Sequence, residues 1–336
     1  MDRRTLIASA AASVLVPGLV GASGSRPSGA TMRERATRFL ATLSPQQQRA
    51  ATFEFDASAR LAWNFMLGSY HAPGIALESL TDAQKDAARD LLETGVSRLG
   101  REKAENIMLQ QDILRDEWGK GSPDRNSERF SVQIYGEPSA TGAWSWRWEG
   151  HHLSLTFTLV DDEVVSTTPS SFSSEPNTVP SGPHQGLVVL KEEEVLGRAL
   201  FSGLRGAARQ AALLRESSPG NILSNRGAEL RIAAEKGGIE LGELKPSQAE
   251  LAERLIEVYT AEVLPAPLRR QQERRLGAES AEAVRFGWAG ADLDGSIYYR
   301  LTGASFLIEF ATLRNQPLHL HAVFHDTRRN FGRHVV

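Results

Sequence analysis

Five of the eight histidines fall in two short blocks, Gly150-His151-His152-Leu153 and Leu318-His319-Leu320-His321-Ala322-Val323-Phe324-His325. An i, i+2 pair on a strand directs both side chains to one face. For His319 and His321 the Cβ atoms would stand roughly 6.5–7 Å apart, given a rise of about 3.3 Å per residue. Two imidazoles can converge from there on one ion at about 2.0–2.1 Å each. Neutral imidazole is the commonest protein metal ligand, so the chemistry these blocks suggest is that of a mononuclear metal site. A third donor has to come from a neighbouring strand. The strand Leu153–Leu159 carries its apolar side chains at odd numbers, so His151 points with the leucines and His152 lies on a polar face with Ser154, Thr156 and Thr158, hydroxyls suited to orienting a ligand.

Glu309 is the other candidate ligand, or a general base. It interrupts Phe306-Leu307-Ile308-Glu309-Phe310, where an unpaired carboxylate would be costly to bury. The alternatives are plain. An HxH face can be the solvent side of an edge strand, and Glu309 can pair with Arg300 or Arg147. His151, His325, Arg300, Tyr299 and Trp146 are candidates for a supporting layer or pocket wall, although a stripe such as Trp144, Trp146 and Trp148 is more often core. Two or three histidines with one carboxylate leave positions open for water or substrate, and suit iron, copper, manganese or zinc. His71, His184 and His334 stand alone and read as surface or loop histidines.

The remaining composition narrows the classes. The 336 residues carry 38 basic and 41 acidic side chains, a net charge of −3, with both signs interspersed. That balance favours neither nucleic acid nor an anionic membrane as partner. The densest basic run, Arg269 to Arg275, contains Glu273 and no aromatic residue, so it reads as a solvated helix face. There is no cysteine. Disulfides, thiolate ligands and a cysteine nucleophile are therefore excluded, and any metal is held by nitrogen and oxygen. No GxSxG, HExxH, Walker A or GxGxxG motif is present.

Asp2-Arg3-Arg4-Thr5-Leu6-Ile7, an apolar stretch from Ala8 to Val20 and small residues at Val20-Gly21-Ala22-Ser23-Gly24 predict a twin-arginine-type signal peptide over residues 1–24. The stretch is too short for an ordinary span, so no stable membrane anchor is expected. The partners expected are the export machinery and an unidentified small-molecule substrate, and the destination is periplasmic or secreted. Export after folding would suit a metal loaded in the cytoplasm, so the function expected is that of an exported metal-dependent enzyme, an oxidoreductase first, with a metal-dependent hydrolase or a non-catalytic metal- or ligand-binding protein as alternatives.

The elements that must position these residues are legible in part. Ser44-Pro45-Gln46-Gln47 and Thr81-Asp82-Ala83-Gln84 are capping boxes that open helices. The stripe Ala104, Ile107, Met108, Gln111 and Leu114 predicts another helix, Arg101 to Trp118, separated from its predecessor by Gly100. Strands are predicted at Phe130–Tyr135, around Trp144–Trp148, at Leu153–Leu159, and at 297–301, 305–312 and 318–324. Thr167–Pro183, rich in Ser, Thr and Pro, reads as a long loop, either lid or crossover. Helices return at Glu192 to Arg215, at Ser247 to Val263 and after Pro267. The fold class expected is α+β, one domain over 31–336, with an antiparallel sheet of middle and C-terminal strands packed by N-terminal and central helices.

The pieces Trp144-Ser145-Trp146-Arg147-Trp148-Glu149-Gly150-His151-His152-Leu153-Ser154-Leu155, Tyr298-Tyr299-Arg300, Ile308-Glu309-Phe310 and His319-Leu320-His321-Ala322-Val323-Phe324-His325-Asp326 resemble the bacterial and fungal domain-of-unknown-function family 3500. The resemblance spans most of the chain from about Thr31. It implies exported proteins carrying both histidine blocks and supplies no activity. It also leads one to expect several more residues after Phe331-Gly332 than the chain carries to Val336, so no role is assigned to His334.

Overall fold

Both capping boxes form. Ser44 accepts from the Gln47 amide and Thr81 from the Gln84 amide, and each glutamine reaches back to its cap. The computed structural model describes residues 28–66, 72–118, 125–224, 230, 237–280, 283–293 and 295–336. The signal-peptide reading of residues 1–24, and His71, lie outside the described residues.

The described helices are α1 (Ser28–Thr42), α2 (Pro45–Ala51), α3 (Asp82–Gly95), α4 (Arg98–Asp112), α5 (Lys191–Gly203), α6 (Gly206–Ala212), α7 (Pro246–Thr260) and α8 (Ala266–Leu276). The strands are β1 (Thr52–Phe53), β2 (Ile75–Ala76), β3 (Ser131–Tyr135), β4 (Ala143–Gly150), β5 (Leu153–Val160), β6 (Glu163–Ser166), β7 (Ser170–Phe172), β8 (Leu213–Arg215), β9 (Ile239–Glu240), β10 (Arg285–Ala289), β11 (Tyr298–Thr302), β12 (Phe306–Leu313) and β13 (Gln316–Asp326). They join in one sheet ordered β1-β3-β4-β5-β7-β13-β12-β11-β10-β8, with β2, β6 and β9 pairing at its margins. No described helix is long and apolar enough to cross a membrane.

The fold is α+β, as the sequence predicts, but the sheet is mixed rather than purely antiparallel. The parallel pairs β1–β3 and β8–β10 lie at its two ends, where strands of two and three residues carry no hydrophobic alternation to read. Thr167–Pro183 is not simply a loop. It contains β7, which pairs with β5 on one side and β13 on the other and so joins the two halves of the sheet. Gly100 does not separate helices. It sits inside α4, whose cap is Ser97, because a side chain there would meet the Val263 carbonyl at 2.4 Å.

The two faces of the sheet differ in character. One carries Trp144, Trp146, Trp148, Leu155, Phe157, Tyr299 and Phe310 into the main apolar core with the helices. Burial of this face is the dominant favourable contribution to folding. The opposite face is buried and polar. One row of paired residues crosses it from Ser131 through Glu149, Ser154, Ser171, Val323 and Glu309 to Arg300. Buried polar groups persist only where they are hydrogen-bonded, and here coil segments supply the partners. The Arg147 guanidinium donates to the carbonyls of Ala59, Arg60 and Ala62. Glu149 accepts from the Asn64 amide at 2.9 Å and from Ser154 Oγ at 2.7 Å. Arg60 donates to the Phe331 carbonyl at 2.7 Å.

Candidate metal centre

The two histidine blocks meet on the polar face. Ser154 and Val323 share one row through Ser171. Counting back two residues along each chain puts His152 and His321 at the same level, with His319 a further pleat out. Ser171 and Ser173, hydrogen-bonded to each other at 3.0 Å, project from the intervening chain. Their small side chains leave room for imidazoles to meet above them.

His151 and His152 are not strand residues. They form the two-residue turn between β4 and β5, and strand alternation starts only at Leu153. His152 has φ 70°, a left-handed conformation in which His is among the more frequent non-glycine residues. Its backbone is fixed on both sides: its amide donates to the Phe65 carbonyl at 2.7 Å and its carbonyl accepts from the Ser173 amide at 2.8 Å. The turn brings both rings into the site, instead of sending His151 to the apolar face.

One ring nitrogen each of His151, His152 and His319 lies within 4.8 Å of the other two. Nε2 of His152 is 2.8 Å from Nε2 of His319. The His321 ring centroid is 5.4 Å from that of His152 and 5.0 Å from that of His319. His152 and His321 are buried, and the His319 side chain is 12% exposed.

Side-chain oxygens engage the outer nitrogens of three rings. Gln111 Oε1 is 2.6 Å from Nδ1 of His151, and Asn221 Oδ1 is 2.7 Å from Nδ1 of His321. Nδ1 of His319 has Gln316 Oε1 at 3.0 Å and Glu175 Oε2 at 3.4 Å. An oxygen acceptor at Nδ1 places the proton there and the lone pair on Nε2, the tautomer that ligates a metal through Nε2. With the His319 Nε2 lone pair facing His152, the 2.8 Å contact is an Nε2–H of His152 donating to it. Nδ1 of His152 is then buried with no hydrogen-bond partner among the described residues. Two nitrogens on one tetrahedral ion at about 2.0–2.1 Å stand about 3.3–3.4 Å apart, so about half an ångström of opening, with the His152 proton moved to Nδ1, would let both nitrogens bind one ion.

Burial holds the titration of His151 and His152 well below the ordinary histidine range, and the Arg125 cation and the neighbouring imidazoles push the same way. Both rings are therefore neutral near pH 7, the state in which imidazole binds metal.

The other candidates occupy different positions. Glu309 is buried on the same face, but its carboxylate accepts from the amides of Leu223 and Ser224 and from Tyr298 Oη. It pairs in register with Arg300 and does not join the ring group. It fixes the loop from which Asn221 reaches His321. Tyr299 and Trp146 lie on the opposite, apolar face. Tyr299 hydrogen-bonds Tyr259 Oη at 2.7 Å, and Trp146 stacks on Phe157 at 4.4 Å between centroids. His325 is buried, accepts from Asn330 Nδ2 at 2.9 Å, and packs edge-on to Trp63. Sequence reasoning did not foresee Gln111, Glu175 and Asn221. Gln111 alone leaves a trace, as a polar residue on the otherwise apolar stripe of α4.

Fold and site together define an α+β protein with a buried cluster of histidines on the polar face of a mixed sheet. The family described as Protein of unknown function (DUF3500) matches residues 26–333, and the chain belongs to it. No curated protein and no solved structure matches the chain significantly.

Proposed function

We propose that the chain is an exported, metal-dependent enzyme that holds one divalent transition ion on His152 and His319, with His151 and His321 as further donors, and acts as an oxidoreductase on a small molecule. The observation that carries this reading is the closeness of the rings: one nitrogen each of His151, His152 and His319 lies within 4.8 Å of the other two, and side-chain oxygens at the Nδ1 atoms of His151, His319 and His321 leave the lone pairs of those three rings on Nε2. Burial of a neutral, all-imidazole group has little else to recommend it. An all-nitrogen donor set favours copper, zinc or iron over magnesium, calcium or manganese. The bound ion would supply Lewis-acid or electron-transfer chemistry. The chain's own residues orient the rings, keep them neutral and limit water. Glu309 supports the site by anchoring the Asn221 loop. The arginine pair and small-residue tail of the N-terminus support export.

Elemental analysis of protein purified from its exported fraction tests the reading. About one transition ion per chain is expected, falling well below that in a His319→Ala/His321→Ala variant. Sub-stoichiometric metal in the unaltered chain contradicts it. The burial of His152 and His321 supports a second reading, metal capture without turnover. An enzyme keeps a coordination position that takes up azide or cyanide, whereas a closed capture site does not.

A further inference from the structure

We infer that Glu175, paired with Arg125, is a positioning residue that sets the tautomer of His319 and places one negative charge behind the ion; this rests on the metal reading above. The oxygen of Glu175 that lies 3.4 Å from Nδ1 of His319 is 3.0 Å from Nη1 of Arg125, and the Glu175 side chain is 4% exposed. A carboxylate is acceptor-only when ionised. Its approach to Nδ1 lacks hydrogen-bond geometry, so it acts through its charge: a carboxylate here favours the Nδ1–H form of the ring, cannot turn round and donate as an amide can, and leaves Nε2 for the ion. Gln316, the other group at Nδ1, carries an amide and sits at the exposed end of β13.

The scaffold around Glu175 has the rigidity that this role needs. Ser174 exchanges both backbone hydrogen bonds with Leu320, between His319 and His321 of β13, and the Asn177 amide donates to the Leu318 carbonyl. From the other side, Gln110 of α4 donates to the Pro176 carbonyl at 2.7 Å and accepts from Ser174 Oγ at 2.9 Å. Its neighbour Gln111 reaches His151. Two adjacent glutamines on one helix thus orient both sides of the ring group, one directly and one through the segment that carries Glu175. Carboxylates behind a ligating histidine raise the basicity of the ligand and tune the ion.

Cobalt(II) serves as the probe, followed through its visible ligand-field bands in a titration of the metal-free chain. Glu175→Gln keeps size and hydrogen-bonding capacity but removes the charge and the acceptor-only constraint. We expect cobalt to bind it about 10–100-fold more weakly with shifted bands, read below the melting temperature of the metal-free variant, which falls because Arg125 loses its carboxylate. Affinity and bands equal to the unaltered chain overturn the inference. Ring-nitrogen NMR of the unaltered metal-free chain gives an independent reading that needs no variant: His319 as the Nδ1–H tautomer supports the assignment, and Nε2–H overturns it. An unaltered chain that takes up no cobalt removes the metal reading itself.

Discussion

His325 shows how far burial alone can move a residue on the polar face. Loss of hydration lowers its titration to about 3, with no charged neighbour contributing. Between its unfolded value near 6.5 and about 3, the unfolded chain binds a proton that the folded chain does not. Stability is therefore lost as pH falls through that window, by about 1.4 kcal/mol per pH unit from this one group. His151 and His152 act in the same direction. Denaturant titrations from pH 7 to pH 4 should show a shallower loss in His325→Gln than in the unaltered chain; equal slopes would remove this account. At this scale the sequence was informative about identity and blind to partners. The i, i+2 spacing of His319 and His321 could be read directly. Glu175 and Asn221 could not, because each lies in irregular chain and meets its histidine only through tertiary contact.

At the scale of elements, helix packing on the apolar face holds the sheet from behind. Gly197 in α5 lies against the Tyr299 ring, and a Cβ there would stand 2.4 Å from Cε1. Tyr299 cannot give way easily. It stacks on Phe310 at 4.9 Å and hydrogen-bonds Tyr259 Oη and the Glu193 carbonyl. Gly197→Ala gains about 1 kcal/mol in helix propensity but overpacks the contact at a cost of about 1–3 kcal/mol. The net expectation is a modest loss of stability in chemical denaturation, and unchanged or higher stability would contradict the packing argument. Capped helices and alternating strands were legible in sequence because their signals are local. The strand β7 was not, since three residues between prolines and serines carry no period, and its place in the sheet is set by β5 and β13. The turn at His151-His152 reads as strand in the sequence for a similar reason: alternation shows where a face begins only once the turn is known.

For the molecule as a whole, the division into an apolar helix-covered face and a polar coil-covered face explains why the buried histidine cluster lies where it does. The polar face already satisfies Arg147, Glu149 and Glu309 by hydrogen bonds, so it can hold neutral imidazoles out of water. The central claim is that His151, His152, His319 and His321 converge on one ion. X-ray absorption of the metal-loaded chain measures this most directly. Three or four nitrogen scatterers at about 2.0–2.1 Å, with the outer-shell pattern of imidazole, are the predicted result. A first shell dominated by oxygen, or one unchanged in His152→Ala, would contradict it.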